Sequence, residues 1–191
     1  MTAPLILASS SPRRRDLLTR AGYVFEVVSA DVDETPRPQE TPPGLVRRLA
    51  VVKSLAVAHR FPEALVVGAD TVVALEGQIL GKPANEELAR RMLEMLSGKR
   101  HEVYTGVSVW SGIRQRGLAA GSAASVTFRP LLPAEIEEYV RSGEPLDKAG
   151  AYAIQGRAGL WVTSVKGDRE TVIGLPTALV GRLIAKLGGV E

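Results

Sequence analysis

The sequence contains no cysteine, and only 5% of its 191 residues are aromatic. The absence of cysteine excludes a disulfide framework, a thiol nucleophile and a zinc site built on thiolates. The low aromatic content argues against a protein that stacks its side chains on single-stranded bases. No apolar run approaches the roughly 18 residues of a membrane helix, and residues 1–7 lack the basic flank of a signal peptide. We therefore expect a cytoplasmic protein without a membrane partner.

The common catalytic signatures are missing as well. The sequence has no P-loop, no dinucleotide-binding fingerprint and no serine-nucleophile motif, and its two histidines, His59 and His101, do not stand in a metal-ligand spacing. The groups that remain for chemistry are acids, lysines and arginines, which serve metal-assisted phosphate reactions. The net charge of +3 indicates an anionic partner, and the compact basic run is Arg13–Arg15.

The apolar pattern alternates between the strand period and the helix period, which predicts an α/β protein. We predict strands over residues 5–8, 24–28, 65–75, 101–110, 117–129 and 160–165, and helices over residues 12–21, 43–60, 86–96, 133–142 and 176–187. Residues 68–70 are expected to interrupt the third strand and residues 78–83 to form a loop. The glycine-rich residues 143–159 are expected to form a loop with a brief strand inside.

The stretch LASSSPRRRDLL, residues 7–18, predicts a helix that begins unusually. Ser11 is placed to cap the helix and Pro12 suits its first position. The N-terminal end of a helix is positive, so each of the three following arginines should cost roughly 0.3–1 kcal/mol. They make sense if an anion such as a phosphate binds at this turn, where Ser9 and Ser11 supply hydroxyls and Arg13 and Arg14 supply guanidinium groups. The alternative is that the arginines extend into solvent or pair with nearby acids such as Asp16.

Four further charged residues are candidates for chemistry. Asp70 lies inside the apolar run ALVVGADTVVAL, so it must be exposed at a strand end, paired or coordinating. Glu34 lies in an acid-rich loop, Lys53 lies beside the apolar stripe of its helix, and Lys82 follows a turn. Each also has an ordinary explanation, because Asp70 could bind backbone N–H groups at a bend and the other three could be solvated charges.

The ordered set of motifs resembles one known family. SSSPRR, ADTVV, GKP, VYTG and DKAGAYAIQG occur in this order, and the resemblance to the Maf family of nucleoside triphosphate pyrophosphatases runs from about residue 5 to residue 187. It implies a single domain over residues 1–191 with an α/β fold. The implied architecture is an elongated mixed sheet with flanking helices and two lobes around a cleft, as in the inosine triphosphate pyrophosphatases. The implied reaction converts a nucleoside triphosphate to the monophosphate and pyrophosphate with a divalent metal, Mg²⁺ or Mn²⁺.

The resemblance also assigns roles by position. It implies that Asp70 accepts a proton and binds the metal together with Glu34, and that Lys53 and Lys82 act beside them. Glu34 is preceded by a second acid, Asp33, so the match at this position is ambiguous.

Base preference is associated by position with Arg13, Thr71 and Gln155, and the form AYAIQG resembles the subgroup that acts on dTTP and UTP. A house-cleaning role against unwanted pyrimidine triphosphates follows from this resemblance. Relatives of this kind are typically dimers, so a homodimer is one option, and no stable nucleic-acid partner is expected. The alternative is a non-enzymatic regulator of cell division that binds nucleic acid or protein, because the family name derives from septum formation.

Overall fold

The computed structural model describes residues 3–188. The strands are β1 (Leu5–Ala8), β2 (Glu26–Val27), β3 (Leu65–Leu75), β4 (Gln78–Leu80), β5 (Arg100–Ser111), β6 (Arg116–Phe128) and β7 (Val162–Lys166). The helices are α1 (Pro12–Arg20), α2 (Pro42–Ala58), α3 (Glu86–Leu96), α4 (Pro133–Arg141), α5 (Arg169–Ile173) and α6 (Thr177–Gly188). Three 3₁₀ turns, Glu144–Asp147, Ala149–Ala151 and Arg157–Trp161, lie between α4 and β7.

The seven strands form one mixed sheet in the order β2-β1-β3-β5-β6-β7, with β4 paired to β3 off this path. β1 runs parallel to both β2 and β3, with Leu5 opposite Leu65. β4 is antiparallel to β3, and β7 is antiparallel to β6. Within residues 3–188, no helix combines the length and the apolar character needed to span a membrane.

The chain divides into two compact units. Of the described residues, unit 1 comprises 3–70, 105–122 and 174–188, and unit 2 comprises 71–104 and 123–173, so β3, β5 and β6 each contribute residues to both. The single domain predicted over residues 1–191 stays a prediction, and residues 1–2 and 189–191 of it lie outside the described residues.

In unit 1, helix α2 packs directly on the sheet backbone. A Cβ atom placed on Gly68 of β3 would lie 2.3 Å from the carbonyl oxygen of Ala50, and one placed on Gly106 of β5 would lie 2.2 Å from that of Val46. These distances leave no room for a side chain, so only glycine permits the approach. The apolar core beside this contact is formed by Ile6, Ala8, Val57, Ala58, Ala64 and Val66.

In unit 2, four of the nine aromatic residues of the protein pack in one core. Phe128 packs edge-to-face on Tyr152 and on Trp161, with ring centroids 4.8 and 6.0 Å apart, and Tyr139 packs on Trp161 at 4.9 Å. Such geometry is the preferred one for aromatic pairs. Helices α3 and α4 contribute aliphatic residues to this core, including Leu93, Leu96, Ile136 and Val140.

The predicted positions of most elements are confirmed to within a few residues, and three expectations are wrong. β3 is continuous from Leu65 to Leu75, because Gly68 accommodates α2 and does not break the strand. Residues 78–80 form β4, since Glu76 and Gly77, with φ of 52° and 84°, make a two-residue hairpin turn. Residues 143–159 contain no strand, because Gly150 and Ala151 both adopt positive φ. The short helix α5 is not anticipated by the sequence pattern.

Candidate active site

The turn between β1 and α1 is organised by Ser9. Its hydroxyl oxygen accepts a hydrogen bond from the backbone N–H of Ser11 at 3.2 Å and another from Nη1 of Arg14 at 3.3 Å. Ser11 occupies the N-cap position, but its side chain makes no capping hydrogen bond, so the predicted serine cap is wrong in this respect. The buried Ser9 holds the turn instead, because its oxygen lies where it can accept from the chain that enters the helix.

The three arginines at the start of α1 have different surroundings. Arg14 is partly buried and donates from Nε to the carbonyl oxygen of Gly174 at 2.9 Å. Burial lowers the pKa of Arg14, and the negative charge of Asp70 opposes that shift. Arg15 is exposed, and its Nε lies 3.8 Å from Oδ1 of Asp16. This agrees with the alternative in which the arginines extend into solvent or pair with nearby acids. The contact with Gly174 joins residues 160 positions apart, and no signal in the sequence indicates it.

Lys53 lies between two carboxylates. Its Nζ is 2.7 Å from Oδ1 of Asp70 and 2.8 Å from Oε1 of Glu34. Lys53 and Asp70 are each only 6% exposed, so the solvated alternative for Lys53 is wrong. The bend expected at Asp70 is wrong as well, because Asp70 lies within the continuous strand β3. A buried lysine is tolerated when acids pair with it, and a buried carboxylate likewise requires a partner. Helix α2 carries Lys53, and its close packing at Gly68 brings this residue within reach of β3.

Burial sets the acidity of Asp70. Removal from water raises its pKa above the ordinary value, whereas the charges of Lys53 and Arg14 lower it and that of Glu34 raises it again. A carboxylate whose proton affinity is increased by burial is better suited to accept a proton from water than an ordinary surface aspartate.

The structure separates the two neighbouring acids of the loop between β2 and α2. Glu34 reaches Lys53, whereas Oδ1 of Asp33 accepts the backbone N–H of Thr35 at 2.9 Å. Hydrogen bonds from the side chain and the backbone N–H of Thr35 lower the pKa of Asp33. Geometry therefore favours Glu34 as the acid that joins Lys53 and Asp70.

Three of the predicted site residues lie in unit 2. Thr71 follows Asp70 on β3, and Lys82 and Gln155 are exposed. The backbone N–H of Gly150 donates to the carbonyl oxygen of Gly81 at 3.1 Å, which fixes the glycine-rich loop beside the Lys82 turn. The structure thus gathers Ser9, Arg14, Glu34, Lys53 and Asp70 in unit 1, with Ser11 and Arg13 in the same turn and helix start as Ser9 and Arg14.

The glycine-rich loop is held down on both sides of Gln155. Tyr152, Ile154 and Ala158 are buried, so the exposed Gln155 stands between anchored neighbours. A Cβ atom on Gly150 would lie 2.8 Å from side-chain atoms of Val73, which places this loop against β3 two residues beyond Thr71.

The oxygen donors of the site suit a hard divalent cation. Among residues 3–188, no cluster of three or more acidic or histidine side chains is placed to hold a metal ion by itself. Mg²⁺ commonly takes one or two protein carboxylates and completes its shell with water and substrate phosphates. Asp70 and Glu34, which both contact Nζ of Lys53, are a pair of this kind.

Comparison with known proteins identifies the family. A family model described as "Maf-like protein" matches residues 4–187. The chain is 47% identical over 184 residues to a protein of Pelotomaculum thermopropionicum and 48% identical over 184 residues to one of Moorella thermoacetica, both named dTTP/UTP pyrophosphatase. The alignments cover 96% of this chain and 96% and 95% of those proteins, respectively. The chain therefore belongs to the Maf family.

A solved structure supports the fold independently. The Staphylococcus aureus Ham1 protein aligns with a TM-score of 0.52, covering 98% of this chain and 100% of that one at 16% sequence identity. This likeness concerns the fold alone. It confirms the expected α/β architecture with a mixed sheet and flanking helices.

Proposed function

We propose that this protein hydrolyses dTTP and UTP to the corresponding monophosphate and pyrophosphate. Relatives that are 45–48% identical over 96% of the chain carry the name dTTP/UTP pyrophosphatase, which supports the substrate class. The observation that carries the chemistry is the pairing of the buried Lys53 with Asp70 and Glu34. This group offers a proton acceptor and a cation to an anhydride of phosphoric acid.

Asp70 takes the proton of the water molecule that attacks the α-phosphate, because it is buried and its proton affinity is increased. Lys53 keeps the aspartate oriented and stabilises negative charge on the phosphates. Arg13 and Arg14 at the start of α1, together with the hydroxyls of that turn, bind the anion where the helix is positive.

A divalent cation is part of this proposal. Asp70 and Glu34 would hold it, and it would supply neutralisation of the charge on the phosphate oxygens. By their positions in the family's motifs, Lys82 is assigned to the phosphates, and Arg13, Thr71 and Gln155 are assigned to the preference for the base.

The reaction is tested by identifying its products and by finding which product takes up ¹⁸O from labelled water. The protein is first treated with a chelator, then assayed with dTTP, UTP, CTP and dATP in H₂¹⁸O with added Mg²⁺ or Mn²⁺. We expect pyrophosphate and a monophosphate that carries ¹⁸O, with dTTP and UTP preferred and no turnover before metal is restored. Orthophosphate with a nucleoside diphosphate, or ¹⁸O in the pyrophosphate, would contradict attack at the α-phosphate. Full turnover in the chelated protein would contradict the role assigned to the two acids.

A further inference from the structure

The loop that carries Glu34 has no regular structure from residue 28 to residue 41, apart from a turn at residues 38–39. A glutamate on such a segment needs support if its carboxylate is to stay at one place. Lys53 holds the end of the Glu34 side chain. The main chain of the loop is held separately, one residue further on, by another side chain of α2.

That side chain is Arg48. Its Nη2 donates to the carbonyl oxygen of Thr35 at 3.1 Å, and its guanidinium group binds Glu40 through two parallel hydrogen bonds, Nε to Oε1 and Nη2 to Oε2, each 2.7 Å long. Oε2 of Glu40 also accepts the backbone N–H of Arg37 at 3.0 Å. One guanidinium group therefore ties both sides of the loop to the helix that bears Lys53.

The Arg48–Glu40 pair differs from an ordinary surface ion pair. The two side chains are only 18% and 12% exposed, which protects the interaction from solvent screening. The hydrogen bonds from Arg48 lower the pKa of Glu40 to about 2. The two parallel hydrogen bonds also fix the orientation of the Glu40 carboxylate relative to Arg48, which a lysine at the same position could not do.

We propose that Arg48, through its bonds to Glu40 and to the carbonyl oxygen of Thr35, is a positioning residue that holds Glu34 against Lys53. This inference rests on the proposed function, in which Glu34 belongs to the reaction centre. Arg48 has no direct role in the chemistry. Its guanidinium group binds Glu40 and Thr35 of the loop, and Arg48 affects the reaction only through the position of Glu34.

A double-mutant cycle tests the proposal with Arg48→Met, Glu34→Gln and the double variant. We expect Arg48→Met to lower kcat for dTTP roughly 10- to 100-fold, the effect that misplacing a reacting group produces. The double variant should be no slower than Glu34→Gln alone, because Arg48 has nothing left to position. Independent, multiplicative losses would overturn the proposal. Glu40→Gln, which keeps the arginine, should lower kcat less than Arg48→Met does. Its effect should likewise disappear when it is combined with Glu34→Gln.

A second measurement does not depend on activity. Hydrogen exchange of the nucleotide-free protein should quicken at residues 33–41 in Arg48→Met and Glu40→Gln, and Arg48→Lys should restore little protection. Arg129→Met is the matched control, because Arg129 also forms a bidentate pair, with Glu135, at 2.9 and 2.5 Å. It should leave exchange at 33–41 and kcat unchanged.

Unchanged hydrogen exchange at residues 33–41 in Arg48→Met and Glu40→Gln would overturn the proposal that Arg48 holds the loop, even if the enzyme is active. If exchange quickens in these variants but the wild-type protein releases no pyrophosphate from any triphosphate, the proposed function is contradicted. The proposal that Arg48 holds the loop is then still supported.

Discussion

A Cβ atom on Gly68 would lie 2.3 Å from the carbonyl oxygen of Ala50. The same atom would lie 2.7 Å from the backbone nitrogen of Ser54, the residue after Lys53. Both neighbours belong to the backbone of α2, so neither can turn aside as a flexible side chain would. The close contact of β3 with α2 is therefore what brings Lys53 to Asp70, two residues beyond Gly68.

Gly68→Ala should push α2 away from β3 and weaken both stability and catalysis. Overpacking of this kind costs about 1–3 kcal/mol, and kcat should fall as well because Lys53 moves with the helix. Gly121→Ala is the control, since its Cβ would have only ordinary contacts, the nearest at 3.8 Å. Urea denaturation and steady-state kinetics measure the two effects. Wild-type behaviour of Gly68→Ala would contradict the argument.

Asp70→Asn should retain the fold and lose most of kcat. The amide has nearly the shape of the carboxylate and Lys53 keeps Glu34 as a partner, but an amide cannot accept the proton. Asp16→Asn is the control, because Asp16 is exposed and forms an ion pair with the equally exposed Arg15. Thermal melting together with turnover of dTTP distinguishes the roles. A variant that melts normally and retains its kcat would make Asp70 a purely structural residue.

The three arginines of α1 should separate into three behaviours. Arg14→Ala should cost about 1–3 kcal/mol of stability, because it leaves the carbonyl oxygen of Gly174 without its donor, and it should also weaken substrate binding. Arg13→Ala should raise KM roughly tenfold with little loss of stability. Arg15→Ala should leave KM unchanged and gain a few tenths of a kcal/mol, since it removes an exposed cation from a helix N-terminus. Equal effects of all three on KM would contradict this assignment.

The sequence pattern predicts elements better than contacts. The ends of β1, α1 and α3 follow from local signals such as Pro12 and from Asn85, whose side chain accepts the N–H of Leu88 as expected of a cap. Local signals do not reveal that Lys53 is buried, because its neighbours on α2 look like those of a solvated lysine. Its burial depends on Gly68 and Gly106, which lie far away in the chain.

The candidate site shows the same division. The resemblance selects Asp70, Glu34 and Lys53 by position, and the structure brings these three together. The support around them was not predicted, because Arg48 pairs with Glu40 across an irregular loop and Arg14 with Gly174 across most of the chain. Such contacts depend on tertiary packing, which periodicity and capping rules do not contain.

His101 should make stability depend on pH. It is fully buried, its Nε2 lies 2.8 Å from the hydroxyl of Tyr152, and burial lowers its pKa to about 4. The unfolded chain binds a proton near the ordinary pKa of about 6.5, so between these values the unfolded state holds more protons and stability rises with pH. The contribution is complete above pH ~6.5 and is lost toward pH ~4, at most about 3 kcal/mol.

Urea denaturation of the wild type and of His101→Gln at several pH values between 4 and 7.5 isolates this contribution. Glutamine does not titrate, so the stability of the wild type relative to the variant should decrease as the pH falls. Other titrating groups are common to both proteins and cancel in the comparison. A difference that does not change with pH would show that the pKa of His101 is the same in the folded and unfolded states.

Gln155 should set the preference for uracil and thymine. It is exposed in a loop in which Ile154 and Ala158 are buried. Gly156 lies against Glu144, since a Cβ atom placed on Gly156 would come within 1.8 Å of a carboxylate oxygen of Glu144. The backbone around the amide is therefore held, and an amide carbonyl and NH₂ can meet the N3–H and carbonyl groups of uracil. Gln155→Ala should lower kcat/KM for UTP relative to CTP roughly tenfold, because the discriminating polar pair is lost. Gln78→Ala, at another exposed glutamine of unit 2, should leave the ratio unchanged. If Gln155→Ala slows every nucleotide equally, the residue supports the loop and does not contact the base.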